Sequence, residues 1–499
     1  MNLAGLTKNE INRFGEHVTV IYEGKEYTNV QLRRTGLRLA RALKELGVGR
    51  GDRVIIQMPN CPEVLESFGA VYAIGAVIVP INFLVGDDET AFIYRDSGAK
   101  TIISSMAFLP KIEACRKQAP NIKHVILIDQ DAPAGTLSFS ALVEEHEELP
   151  EIEDTADDDL AALIYTAGTT GTPKGVMHTH GTLHANATMQ LATLPLRSGI
   201  TGVTVLPLCH SYGIASVNFG SLLGGNKTVL LGSFDIDAVF SAIEKYRADI
   251  LAAVPTMYIY MLLHPEPQKY DLSSMKYWVC GSAPLTLETQ SRFLERFGHE
   301  IIEGWGLTEA GANNCSNPME GRKKTGSIGV PMKGTRMKVV DDQGREVPVG
   351  KEGEIIISGP MLMKGYWNRS EETAEALKAG WLYTGDIGYQ DEDGYFFITE
   401  RKKDLIIKGG ENIAPREIEE VIFSHPKVSE AAVVGVKDAI YGEEIKACVV
   451  LNPGESATEA EIISHCEKKL KRFKSPKYVV FLNALPKSLV GKVLKKELR

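Results

Sequence analysis

Residues 165–175 read YTAGTTGTPKG, with four threonines, three glycines, one proline and one lysine in eleven positions. A glycine-rich turn can aim backbone N–H groups at an anion, because no Cβ blocks the approach. The hydroxyls of Thr166, Thr169 and Thr170 add donors, and Lys174 adds a full positive charge. Such a set suits a polyphosphate. It is not a Walker A loop, which would need glycine where Pro173 stands and Ser or Thr where Gly175 stands. A flexible Thr/Gly linker is the alternative reading of the same residues. Phosphate chemistry is also open at the other end of the chain. Residues 468–499 carry eleven Lys/Arg and one acid, which reads either as a solvated basic face or as a surface for phosphate groups.

Something must hold these groups in place. At 499 residues the chain can form two or more domains of about 150 residues each. Its 44% hydrophobic and 24% charged content suits a globular protein with a substantial core. A net charge of −9 argues against nucleic acid as a partner. Seven cysteines, odd in number and with no C-x-x-C pair, suggest neither a disulfide framework nor zinc, so a reducing cytoplasm is expected. The N-terminus lacks the basic start and apolar stretch of a signal peptide. Residues 68–86 carry no charge and could span a bilayer by length alone. Their texture changes from Ala/Gly-rich to the β-branched AVIVPI, so a buried helix running into a buried strand is expected, and no transmembrane segment.

Short β-branched runs at 53–58, 76–81, 101–105 and 124–129 alternate with amphipathic stretches such as PEVLESFGAVYA. That alternation predicts parallel β-α-β units with helices on both faces. No repeat of 20–50 residues is evident, which disfavours a solenoid. After ERKKD (400–404) the texture shifts to strand LIIKG, helix PREIEEVIFSH with Pro415 in its first turn, strands AAVVGV and KACVVL, a helix and a last strand YVVFL. The predicted fold is α/β: a large N-terminal multi-sheet domain, 1–402, and a small mobile α+β domain, 403–499.

YTAGTTGTPKG resembles the phosphate loop of the adenylate-forming superfamily, which comprises acyl-CoA synthetases, luciferases and peptide-synthetase adenylation domains. PLCHSYG (207–213), GSAPL (281–285), GWGLTE (304–309), YTGD (383–386), ERKKDLIIKGGENIAPREIE (400–419) and PKSLVGK (486–492) match its other motifs in order. The overall pattern is closest to bacterial fatty acyl-CoA synthetases. The resemblance implies two steps: a carboxylic acid and ATP give an acyl-adenylate and pyrophosphate, and the acyl group then passes to the sulfur of CoA. Mg²⁺ is the implied metal, since nucleotidyl transfer depends mainly on positioning and charge neutralisation.

Carried over by matching position, Thr166, Gly168, Thr169, Thr170, Gly171 and Lys174 would grip the β and γ phosphates. Glu309, beside Thr308, would ligate Mg²⁺, a hard carboxylate oxygen suiting that ion. Trp305 would stack on adenine between Glu303, Gly304 and Gly306, with Gly281, Ser282, Ala283 and Pro284 as the opposite wall. Asp386 would accept from the ribose hydroxyls, and Arg401 would support ribose or phosphate. Lys492 would reach the α-phosphate and carboxylate oxygens as negative charge develops, and His210 would orient the carboxylate. Lys403 matches the hinge about which the small domain swings, taking Lys492 away and bringing Lys408, Gly409 and Gly410 to the pantetheine channel. His178, His180 and His184 have superficial metal-ligand spacing. They follow the phosphate loop where the family often has a strand-to-helix turn, so they read as structural.

Three positions depart from the family pattern: Ala167 replaces a frequent serine, Cys209 a common aromatic, and Ser282 a frequent glycine. Acetate-specific relatives block the acyl pocket with tryptophan where Gly306 stands, so Gly306, Leu307, Tyr212 and Ile214 suggest a deep apolar pocket for medium- or long-chain fatty acids. Rival readings are an aryl-CoA ligase of the coumarate or benzoate type, a free-standing enzyme loading a carrier protein, a luciferase-type oxidase and a non-catalytic nucleotide sensor. The sensor should have lost Lys492 or Glu309, and both are present. Oligomeric state is not legible, a homodimer being left open.

Overall fold

The computed structural model describes residues 1–166, 172–193, 198–215, 223–487 and 492–499, and its described strands form four sheets. The first runs in the order Gly365–Tyr366, Lys174–Thr179, Leu160–Thr166, Val77–Pro80, Arg53–Gln57, Thr101–Ser104, His124–Leu127 and Leu137–Ser138. From Leu160–Thr166 onward all pairs are parallel. A parallel sheet is covered on both faces, so its strands read as unbroken apolar runs. Helices Asn29–Glu45 and Pro62–Ala73 cover one face with Leu39, Leu43, Phe68 and Val71. Tyr94 and Ile112, from helices Asp87–Ser97 and Leu109–Arg116, fill the other. Local signals set the helix starts. Thr28 and Gln31 form a reciprocal capping box, and Pro62 stands in a first turn where no N–H is needed.

Residues 68–86 behave as their texture predicts. The helix stops at Ala73, Gly75 turns the chain at φ +68, and Val77–Pro80 continues as a buried strand. No helix among the described residues is long and apolar enough to cross a membrane.

The second sheet orders Val330–Pro331, Cys315–Ser316, Ile301–Trp305, Tyr277–Cys280, Ile250–Ala253, Thr201–Thr204, Lys227–Leu230, Val18–Tyr22 and Lys25–Thr28. Its core packs Trp278, Tyr258, Phe240 and Phe293. A third, antiparallel sheet holds Arg336–Val340, Gly353–Ser358, Trp381–Gln390, Leu377–Lys378 and Phe396–Arg401.

The fourth sheet has a core of its own, including Ile406, Ile418, Ile422, Val433, Val449 and Ile462. It contains Glu411–Ile413, Ile406–Lys408, Gly442–Leu451, Val428–Asp438 and Tyr478–Phe481, packed by helices Pro415–Phe423 and Glu459–Lys469. Two strands outrun their predicted lengths. Val428–Asp438 and Gly442–Leu451 pair through Lys437, Glu443 and Glu444, polar residues at which an apolar-run reading stops. The chain enters this unit between Arg401 and Ile406.

Candidate active site

Strands Leu160–Thr166 and Lys174–Thr179 pair antiparallel, placing Thr166 opposite Lys174 at the mouth of the phosphate loop. Gly168, Thr169, Thr170 and Gly171 lie outside the described residues, as does the departing Ala167. Lys174 Nζ sits 5.1 Å from the centroid of the Tyr366 ring. An open cleft of about 280 Å³ adjoins this pair, walled by Lys174, Tyr366, Lys378, Thr384 and Gly385. Glu354, Glu372 and Glu375 also line it, so its charge is mixed and it makes no anion site by itself.

Strand Ile301–Trp305 delivers Thr308 and Glu309 on a single helical turn, Thr308–Ala310. Three remote contacts hold that turn. Ser211 Oγ lies 3.1 Å from Thr308 Oγ1, Met363 N–H donates to the Glu309 carbonyl at 2.8 Å, and His178 Nε2 meets the Thr308 carbonyl at 2.6 Å. Since a carbonyl only accepts, Nε2 carries the His178 proton, and Nδ1 accepts from the Thr182 hydroxyl at 3.1 Å. Burial pushes the His178 pKa down to about 4, keeping the ring neutral. His180 Nδ1 accepts from Leu3 N–H. These two histidines brace the fold, as their position behind the loop suggested.

Asp386 is 1% exposed and stands opposite Arg401 across paired strands. Its Oδ2 accepts from Trp305 Nε1 at 2.9 Å, and its Oδ1 pairs with Arg401 Nε at 2.9 Å. Each carboxylate oxygen keeps a second lone pair, the capacity a ribose hydroxyl would use, while Oδ1 itself is buried. Trp305 packs into a core with Val176, Cys315 and Phe396, and its indole N–H fixes the Asp386 rotamer. On the facing wall, a Cβ at Gly281 would sit 3.4 Å from the Gly304 carbonyl oxygen and 3.5 Å from Tyr212, ordinary van der Waals contacts that leave room for it. Ser282 adopts φ +72, a left-handed conformation that costs a side-chain-bearing residue about 1–2 kcal/mol. This explains why glycine suits that position. Glu303 is buried and pushed up to about 7 by desolvation, opposed by Arg416; Gln290 donates to it at 3.0 Å.

His210 caps the short helix Ser211–Gly213, its Nδ1 accepting from Tyr212 N–H at 3.2 Å. The proton therefore lies on Nε2. Burial, reinforced by the Lys492 charge, lowers His210 to about 4. Burial also brings Lys492 down to about 8, with Arg401 and Lys403 adding to the shift and Asp386 and Asp404 opposing it. The structure thus gathers His210, Asp386, Arg401, Lys403 and Lys492 at one place, from segments far apart in the chain.

Lys408 is not part of that gathering. Its ammonium pairs with the buried Glu444 at 2.5 Å and faces the Tyr441 ring at 5.7 Å. Gly409 and Gly410, at φ +60 and +87, form an open turn beside it. The acyl-pocket residues divide. Tyr212 packs near Gly281, Ile214 is wholly buried in the first core, and Leu307 packs against the Trp305 cluster. A Cβ on Gly306 would come within 1.2 Å of the Ala312 carbonyl oxygen. Backbone packing alone therefore demands glycine there, and its small size does not measure pocket depth.

Sequence reasoning missed Tyr366, whose hydroxyl donates to Glu309 Oε1 at 2.9 Å. It also missed Ser211, Gln290 and Arg416. The only signal for the first was the aromatic cluster GYW at 365–367, which carries no charge pattern.

The residues present fit the implied ligands. The half-buried Lys492 with its neighbours Arg401 and Lys403, and the Lys174 ammonium, suit a nucleotide polyphosphate, and Glu309 offers hard oxygen donors for Mg²⁺.

Residues 7–367 match the AMP-binding enzyme family, and residues 417–492 match the AMP-binding enzyme C-terminal domain. A long-chain-fatty-acid–CoA ligase of Bacillus subtilis (strain 168) is 37% identical over 97% of this chain and 92% of its own. A feruloyl-CoA synthase of Amycolatopsis sp is 38% identical over 98% and 96% respectively. The crystal structure of ATP-bound MatB from Rhodopseudomonas palustris superposes with a TM-score of 0.92 at 31% identity, covering 100% of this chain and 98% of MatB. Apo MatB, with the same coverage, superposes at only 0.79.

Proposed function

The chain belongs to the AMP-binding enzyme family, within the adenylate-forming superfamily, and is an AMP-forming acid–CoA ligase using ATP, Mg²⁺ and CoA; from that premise we propose that its acid is a medium- or long-chain fatty acid. The observation that carries the reading of the site is the joint placement of neutral His210 and cationic Lys492 beside Asp386. An acid bound there would receive a hydrogen bond from His210 Nε2 on one carboxylate oxygen, leaving the other to attack the α-phosphorus. Lys492 would sit where charge builds on the α-phosphate oxygens as pyrophosphate departs toward Lys174. A fixed cation in a dry site needs no reorganisation as the charge forms. Asp386, held by Trp305 and Arg401, would orient the ribose, and Glu303, Gly304, Trp305 and residues 281–284 would enclose adenine. Glu309, beside Thr308, would hold the metal, which when bound neutralises phosphate charge.

For the second half-reaction, the small domain, taken as 403–499, would turn about Lys403. That motion withdraws Lys492 and brings the Lys408–Gly410 turn to the thiol channel. The better superposition on ATP-bound than on apo MatB supports reading the present arrangement as the adenylating one.

The fatty-acid reading draws support from the Bacillus subtilis relative. An aryl acid is the second reading, favoured by the feruloyl-CoA synthase at equal similarity. Pyrophosphate release should be measured with Mg²⁺ and ATP across acids from acetate to palmitate, plus benzoate, coumarate and ferulate, with and without CoA. CoA-dependent turnover on long alkyl acids is expected. Turnover confined to aryl acids would overturn the fatty-acid reading, and exchange indifferent to CoA would point to a carrier-protein acceptor.

A further inference from the structure

Tyr366 takes no part in the steps above, yet it touches two residues that do. Its hydroxyl donates to Glu309 Oε1 at 2.9 Å, across 57 residues of sequence, while Lys174 Nζ lies 5.1 Å from its ring centroid. The backbone fixes the ring in place. Gly365–Tyr366 pairs antiparallel with Lys174–Thr179, putting Tyr366 opposite Val176, and Tyr366 N–H donates to Thr373 Oγ1 at 2.9 Å. The next residue locks the register: Trp367 N–H donates to the Gly175 carbonyl at 2.7 Å and its indole N–H to the Asp96 carbonyl at 2.9 Å. The strand leaving the phosphate loop and the turn bearing Glu309 therefore meet at one phenol.

We propose that Tyr366 is a positioning residue for adenylation, its hydroxyl orienting Glu309 toward the divalent cation and its ring holding Lys174 toward the polyphosphate. This rests on the reading of Glu309 as the metal ligand. A hydrogen bond to one carboxylate oxygen leaves the group a single rotamer in which the other oxygen is presented outward, the usual service of an outer-shell partner. The ring face attracts the ammonium and limits where its long stem can swing. The two contacts are separable, since phenylalanine keeps the ring and loses only the hydroxyl.

The experiment is calorimetric titration of α,β-methylene-ATP into the full chain at rising Mg²⁺, comparing the wild type with Tyr366→Phe, Tyr366→Leu and Glu309→Gln. Tyr366→Phe is expected to raise the half-saturating Mg²⁺ about ten- to a hundredfold. Its affinity for the metal-free analogue should change by less than about twofold. Tyr366→Leu should show the same Mg²⁺ shift and also weaken metal-free binding about two- to fivefold. A wild-type Mg²⁺ dependence in Tyr366→Phe, with Glu309→Gln shifted, would overturn the proposal and spare the metal-ligand reading. An unshifted Glu309→Gln would overturn both. Equal loss of metal-free affinity in the Phe and Leu variants would trace that loss to the hydroxyl rather than to the ring and also overturn it.

Discussion

Two lysines of the small domain, Lys408 and Lys492, meet opposite fates. Lys492 lies half-buried near Arg401, Lys403, Asp386 and Asp404, and desolvation weakens its ammonium to a pKa of about 8. Lys408 is almost as enclosed, but a buried carboxylate, Glu444, lies 2.5 Å away and neutralises it locally. In the proposed mechanism the first is the cation that meets the α-phosphate. The second pairs with Glu444 on a surface where Ile407, Ile440 and Tyr441 are exposed. On the proposed reading, one domain would bring Lys492 to the nucleotide in the first half-reaction and its Lys408–Gly410 turn to the thiol in the second. A two-step ligase calls for such an exchange, because a lysine beside the α-phosphate would stand where the thiol must approach the neighbouring acyl carbon.

Removing the cation is the strongest way to break the contrast. Lys492→Ala should slow adenylation by about 10²–10³-fold, the usual cost of losing a preorganised group that stabilises transition-state charge. Thioester formation from supplied acyl-adenylate should survive. Single-turnover assays of each half-reaction would tell, and equal losses in both would abolish the division of labour. Lys408→Ala should act through the fold instead. It strands Glu444, 3% exposed at its side chain, and should destabilise the protein by about 3 kcal/mol. Urea unfolding measures this, and an unchanged midpoint would show that the pair carries no structural weight.

A pH profile sharpens the contrast further. Lys492 must be protonated to stabilise charge, and its pKa is depressed to about 8, so kcat/KM for ATP should decline above that pH. The decline should approach tenfold per pH unit. His210, lowered to about 4, is neutral throughout this range and adds no limb to it. Lys492→Arg should move the alkaline limb out of the accessible range, whatever it does to the rate. The smallest effect belongs to the adenine wall: Ser282→Gly should relieve a left-handed φ of +72 and stabilise by about 1 kcal/mol, read from thermal unfolding. Destabilisation would mean that the serine hydroxyl makes a compensating contact.

Legibility in the sequence followed the range of the forces involved. The β-branched runs at 53–58 and 101–105 and the Pro415 start announce strands and a helix, because pleat and φ preferences act between near neighbours. The motif residues were legible for the same reason: a nucleotide site needs certain residue types at fixed local spacing, and YTAGTTGTPKG and GWGLTE keep that spacing. Gly306 was misjudged as a gauge of the pocket because its neighbour in space, the Ala312 carbonyl, cannot be seen from its neighbours in sequence.

The sequence by itself therefore determined the family and the class of chemistry, and it supplied the candidate reacting groups. Only the tertiary structure decided how those groups are charged and held. Trp305 reaches Asp386 across 81 positions and Tyr366 reaches Glu309 across 57, and no local pattern specifies either contact. The neutral state of His210 and the weakened ammonium of Lys492 likewise arise from burial among segments brought together by different sheets. Desolvation and Coulomb forces depend on distance through space, and the chain fixes that distance only once its sheets have packed.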